Sequence, residues 1–128
     1  MTDCDMDEAT GQQRPGILRT LGLLHGDLRV QHGLSLSGYL VLGALAEAEG
    51  GPVPVTRLTA LLRESGDRVS YLLKGLQAAG LIERERRARD RRTVEVTLTD
   101  AGHARFAEAE TTAQALFHRH LGLGPHAG

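Results

Sequence analysis

Tryptophan is absent from these 128 residues, and two Phe and two Tyr are the whole aromatic content. The core must therefore be aliphatic, and an aromatic cage or a platform for stacking bases is disfavoured. Cysteine is almost missing as well. Cys4 alone rules out an internal disulfide and leaves a thiolate metal site without partners, which fits a reducing cytosol. No apolar run approaches the roughly 18 residues of a membrane span. The opening MTDCDMDEATGQ is acidic where a secretory signal would be basic and then apolar. A soluble cytoplasmic protein is expected. No P-loop, GxGxxG or Ser-His-Asp constellation is present, and no carboxylate pair shares a buried face, so the chain does not read as an enzyme.

Net charge is only −1, but its distribution is uneven. Residues 63–92 hold nine Arg or Lys against five acids, while the rest of the chain holds six against eleven. A basic face on an acidic body suits a module that touches phosphate on one side.

Length and composition predict one domain. Residues 1–13 carry four acids, no base and no apolar periodicity, and read as a disordered acidic tail in which Cys4 is an inert thiol. Pro15 opens a helix with Ile17, Leu18, Leu21, Leu24 and Leu28 at helical spacing, ending near Gly33. Ser35 caps a second helix running to about Glu49, stopped by Gly50 and Gly51. The following PVPV is extended and long enough for a short strand. Thr56 is expected to cap a compact helix with Leu58, Leu61 and Leu62 inward.

After a tight turn at Arg63 and Glu64, Ser65 caps a helix whose buried stripe is Val69, Leu72, Leu73 and Leu76. Asp67, Arg68, Ser70, Tyr71, Lys74 and Gln77 face outward, and Gly80 ends the helix. Two short helices with a polar face on the second make a helix-turn-helix. The stretch LIERERRARDRRTVEVTLTD then reads as a strand, an arginine-packed turn and a returning strand, with Val94, Val96 and Leu98 on one face. Arg84 and Arg86 alternate with Glu83 and Glu85, which suits either a solvated cross-strand charge ladder or DNA contact. Asp100 or Thr99 caps a last helix with Phe106, Ala113, Leu116, Phe117 and Leu121 on one stripe, and residues 123–128 form a flexible tail.

This order is mainly α with a small β-hairpin wing: a winged helix-turn-helix over residues 14–122, with a DNA-binding core at 35–100. The flanking helices at 14–33 and 101–121 are expected to dimerise. VTRLTALLRESGDRVSYLLKGLQAAGLIER and DRRTVEVTLTDAG resemble the MarR family of bacterial transcription regulators, over about Leu34 to Gly102. The resemblance implies sequence-specific double-stranded DNA binding, as a repressor. It places the helix from Ser65 in the major groove, with Ser65, Arg68, Ser70, Tyr71 and Lys74 at bases or phosphates. It places the wing, with Arg87, Arg89, Arg91 and Arg92, in the minor groove, and it implies that Asp90 orients Arg92. A carboxylate two residues from a guanidinium can hold it by a bidentate pair. The alternative is a winged-helix adaptor that binds protein and not specific DNA.

One winged helix reads few base pairs, so a homodimer on two half-sites is expected. Its candidate interface is Ile17, Leu18, Leu21, Leu24 and Leu28 with Phe106, Ala113, Leu116, Phe117 and Leu121, the other reading of the broad first-helix stripe being that it packs on the protein's own core. A small-molecule effector of unlegible identity fits between helices, in a shallow aliphatic pocket. Six histidines are present, yet His118 and His120 point to different sides of a helix and no Cys or carboxylate pair completes a tetrahedral set. No metal or other cofactor is expected.

Overall fold

The computed structural model describes residues 16–87 and 92–122. The expected tails at 1–13 and 123–128, and Arg89, Asp90 and Arg91 at the wing tip, lie outside the described residues.

Helix α1 spans Ile17–Asp27 and runs on through one π-helical segment, Leu28–His32, before Gly33 ends it at φ 66°. Positive φ costs a glycine little, so the chain can reverse there. Helix α2, Leu36–Glu47, is capped by Ser35, whose Oγ accepts the Gly38 N–H at 3.0 Å. Strand β1 is only Val53–Pro54, and α3 follows at once over Val55–Leu62. The expected cap at Thr56 is thus corrected: Pro54, extended at ψ 145°, is the last residue outside the helix and lends no side-chain cap. Leu58 is buried and Leu62 half-buried, but Leu61 points out to solvent, against expectation. With only eight residues, α3 has room for a narrow inward stripe and no more.

Arg63 closes α3 in the left-handed region at φ 56°, its N–H bonded to Thr59 O at 2.9 Å. That turn leads into α4, Gly66–Ala78. Strands β2 (Ile82–Arg86) and β3 (Val94–Leu98) form the hairpin, and α5 (Asp100–Leu121) closes the chain. Thr99 is the cap of α5, accepting from the Gly102 N–H at 3.0 Å. The sheet order is β1-β3-β2, antiparallel throughout, with Val53 opposite Val96 on one side and Arg84 opposite Val96 on the other.

The core is aliphatic, as the composition requires. Leu42, Leu45, Leu58, Val69, Leu73, Leu81, Ile82 and Val96 are buried where α2, α3, α4 and the sheet meet. Each such side chain stabilises the fold by about 1.5–3 kcal/mol. A second part of the same core lies between α1 and α5. Leu24, Leu28, Ala113 and Leu116, expected at an interface between subunits, are each at most 3% exposed within the single chain. They are a correction: α1 packs on α5 of its own protomer, so these four face inward. Of the same expected set, Ile17 and Leu18 are exposed, while Leu21, Phe106, Phe117 and Leu121 are half-buried. Among the described residues no helix is long and apolar enough to cross a membrane.

Candidate nucleic-acid interface

Helix α4 carries the site because its sequence sorts two chemistries onto opposite sides. Val69, Leu73 and Leu76 recur at helical spacing and are buried, with Leu72 half-buried beside them. Ser65, Arg68, Ser70, Tyr71, Lys74 and Gln77 are all exposed. Tyr71 is 82% exposed, and a phenol ring held in water this way is available to a partner. Ser65 Oγ accepts the Arg68 N–H at 3.2 Å and so satisfies one of the four unpaired donors of the helix start. The remaining N–H groups and the positive end of the helix dipole favour an anion there. Asp67 lies in the same first turn and suits the dipole too.

Arg68 is not idle in the free protein. Its Nε donates to Glu64 Oε1 at 3.3 Å, one turn back along the chain. With 76% of the Arg68 side chain and 41% of the Glu64 side chain in solvent, this pair is a weak one.

The hairpin sorts charge by face. Residues directly opposite across a strand pair share a face, and neighbours along a strand alternate. Arg84 stands opposite Val96 and Arg86 opposite Val94, while Glu83 meets Thr97 and Glu85 meets Glu95. Each arginine of β2 therefore faces a valine directly across the strand pair. Arg84 and Arg86 lie on the face of the sheet that bears the buried Ile82 and Val96, the face turned to α4. Glu83, Glu85 and Glu95 lie on the other. At that second face Arg87 Nε donates to Glu95 Oε2 at 3.3 Å, and the Arg87 N–H bonds Thr93 O at 2.9 Å. Arg87, expected at DNA, is thus partly engaged in neutralising the Glu85–Glu95 pair. Arg92 is exposed at the start of the returning arm. The expected contact from Asp90 to Arg92, and the positions of Arg89 and Arg91, lie outside the described residues.

Gln77, expected only to face outward, and Arg84, for which DNA contact was one of two readings, join the site. Arg84 Nε donates to Gln77 Oε1 at 2.8 Å, tying β2 to the outward face of α4. The signal was present as the alternation of Glu and Arg, but only the register says which residue type turns toward the helix.

Along α4, on the side of Arg68, Tyr71 and Lys74, runs an open groove of about 1040 Å³ whose far wall is Arg29, Leu34 and Ser37. Elsewhere, Tyr39 stacks on Phe106 with centroids 5.6 Å apart and donates its hydroxyl to Glu110 Oε1. Burial, then the hydrogen bond and the charge of Glu110, push the Tyr39 phenol above the ordinary tyrosine range. Among the described residues no three His, Cys, Asp or Glu are placed to hold a metal ion.

Comparison with known proteins gives this geometry its context. The sequence model of the MarR family matches residues 32–93, which runs from the end of the π segment through the hairpin turn. AbsC, a MarR family transcriptional regulator from Streptomyces coelicolor, is similar at 27% identity and a TM-score of 0.71, over 84% of this chain and 76% of that one. The transcriptional regulator BldR from Sulfolobus solfataricus shares the fold at 21% identity and a TM-score of 0.75, over 98% and 86% of the two chains. A mutant MarR from E. coli complexed with operator DNA shares it at 22% identity and a TM-score of 0.69, over 80% and 71%. No curated protein sequence matches.

Proposed function

We propose that this chain is a winged-helix transcription regulator of the MarR family, a reading supported by the family-model match over residues 32–93 and the likeness to AbsC, and that it is a sequence-specific repressor acting as a homodimer on double-stranded DNA. Helix α4 enters the major groove with Ser65, Arg68, Ser70, Tyr71 and Lys74, and the arginine wing, Arg87 to Arg92, reaches the minor groove, where Asp90 orients Arg92. The observation that carries this is the face of α4: a capped helix with its apolar stripe buried presents two cations, a phenol and two hydroxyls outward, beside a hairpin with arginines on the adjoining face. The solved complex of a mutant MarR with operator DNA, on the same fold, supports the partner class.

Two further parts of the proposal have separate support. Exposed Ile17 and Leu18, with half-buried Leu21, Phe117 and Leu121, supply apolar surface on the flanking helices for a second copy. The groove beside α4 is placed so that a small molecule in it would meet Arg68, Tyr71 and Lys74 and compete with DNA for them. With a reducing environment suited to its one cysteine, the protein reads as cytoplasmic.

The test is binding to its own upstream DNA over a salt series, with particle mass measured in parallel. Steep salt dependence together with sequence preference supports the proposal. Arg91→Ala with Arg92→Ala is expected to abolish operator binding while fold and dimer persist. Unchanged DNA affinity in that double variant would move the function to a protein-binding adaptor.

A further inference from the structure

The bond between Gln77 and Arg84 links a side chain of α4 to a side chain of the hairpin, and its chemistry is specific. A guanidinium has five N–H donors in a planar fork. Here Nε–H is spent on Gln77 Oε1 at 2.8 Å, and neither terminal nitrogen has a partner among the described residues. The four N–H donors of those nitrogens are therefore left for something else. They sit on a side chain that is half-buried, emerging from the sheet face that carries Val96, so the group's approach is set by β2 on one side and α4 on the other. Lys74, one turn before Gln77 on the same face of α4, is exposed and also has no partner among the described residues.

We propose that Gln77, Arg84 and Lys74 form a backbone-phosphate seat at the junction of α4 and the wing, in which Gln77 is a positioning residue and Arg84 the bidentate ligand. It rests on the DNA-binding function proposed above. A helix in the major groove and a wing in the minor groove are separated by one sugar-phosphate strand, and a group at the root of the wing faces that strand. A fork held by its Nε presents its remaining edge in the geometry that a phosphate accepts by two parallel hydrogen bonds. Gln77 is neutral, so it orients Arg84 without cancelling its charge, in contrast to Glu64 on Arg68 and Glu95 on Arg87. Held by a neutral group, Arg84 keeps its attraction for an anion. Such a contact fixes the register of the protein on the duplex and carries no base information itself.

The experiment uses the full chain and a mixed-sequence duplex several helical turns long, since a phosphate contact needs no operator. Dissociation constants are measured over a salt series for the wild type, Arg84→Gln, Arg84→Lys and Gln77→Leu, with circular dichroism and a thermal melt on each. Arg84→Gln is expected to weaken binding by about tenfold and to lower the slope of log K against log salt by about 0.9 for each protomer on the duplex, about 1.8 for the dimer. Gln77→Leu keeps the charge, so the slope should hold while affinity falls by roughly threefold, the mark of a fork no longer pre-oriented. Arg84→Lys should likewise keep the slope and lose affinity, because a point charge replaces the fork. If Arg84 merely staples the wing, Arg84→Gln will lower the melting temperature and leave the salt slope at its wild-type value, which overturns the seat while the DNA-binding function stands. Should Arg84→Gln not fold, Arg84→Lys with wild-type affinity overturns it equally. A wild type with no salt-dependent binding to any duplex removes both proposals together.

Discussion

Gly102 lies directly against the carbonyl oxygen of Leu81. A Cβ at Gly102 would overlap that oxygen and stand 2.6 Å from Leu98 Cδ1. The same carbonyl accepts the Thr99 N–H at 3.1 Å, and Thr99 Oγ1 donates to Gly80 O at 2.6 Å. The end of α4, the start of β2 and the start of α5 are thus fastened at one corner, and the glycine lets α5 come close enough to close it. Backbone cannot yield as a side-chain tip can. Gly102→Ala should cost roughly 2–4 kcal/mol, seen as a lower urea midpoint at unchanged m-value.

Gly75 presents the opposite case. It sits in the interior of α4, and a Cβ there would meet nothing within 4 Å. Gly75→Ala should raise stability by about 0.5–1 kcal/mol, through the smaller entropy the unfolded chain then has to lose. A thermal melt checks this, and a fall in melting temperature would mean that α4 is not helical at that position.

Tyr39 predicts an alkaline limit. Its phenol is raised above the ordinary value of about 10 by burial first and by Glu110 second, so the folded state favours the neutral ring. A group raised on folding contributes stability that is fully present below its unfolded pKa and is lost as pH climbs toward its folded one. Stability should therefore hold up to about pH 10 and decline above it, where unfolded tyrosine ionises and folded Tyr39 does not. Tyr39→Phe should cost about 1 kcal/mol at neutral pH by removing the bond to Glu110 and should flatten that alkaline decline. Chemical denaturation at a series of pH values distinguishes the two effects.

Glu64 should matter to binding more than to folding. Its pair with Arg68 is largely solvated, so Glu64→Gln should change stability by less than about 0.5 kcal/mol. It frees Arg68 and removes a negative charge beside the face of α4 proposed to meet DNA, so affinity for duplex DNA at low salt should rise by roughly threefold. Weaker binding by Glu64→Gln would show that the carboxylate orients Arg68 for its contact.

Much of the fold was legible because its signals are local. A cap needs only a hydroxyl and the helix that follows, and Ser35, Ser65 and Thr99 each form the bond that their positions suggested. Val69, Leu73 and Leu76 had only to repeat at the helical period, and Val96 only to alternate, for their burial to be read. The start of α3 was missed at Thr56 because the extended stretch ends at Pro54, two residues sooner than the cap residue implied.

By itself, then, the sequence determined the order of elements, the caps at Ser35, Ser65 and Thr99 and the outward polar face of α4, since each depends on residues within a turn or two of one another. Tertiary structure decided what depends on partners distant in the chain. It turned Leu24 and Leu28 onto Ala113 and Leu116 and left Ile17 and Leu18 outside, a choice set by how two helices with broad stripes pack. It also set the register that puts Arg84 opposite Val96 and within reach of Gln77. Slipping that pairing by one residue would turn every side chain of β2 to the other face, so a list of alternating Glu and Arg could name the charges but not which of them faces α4.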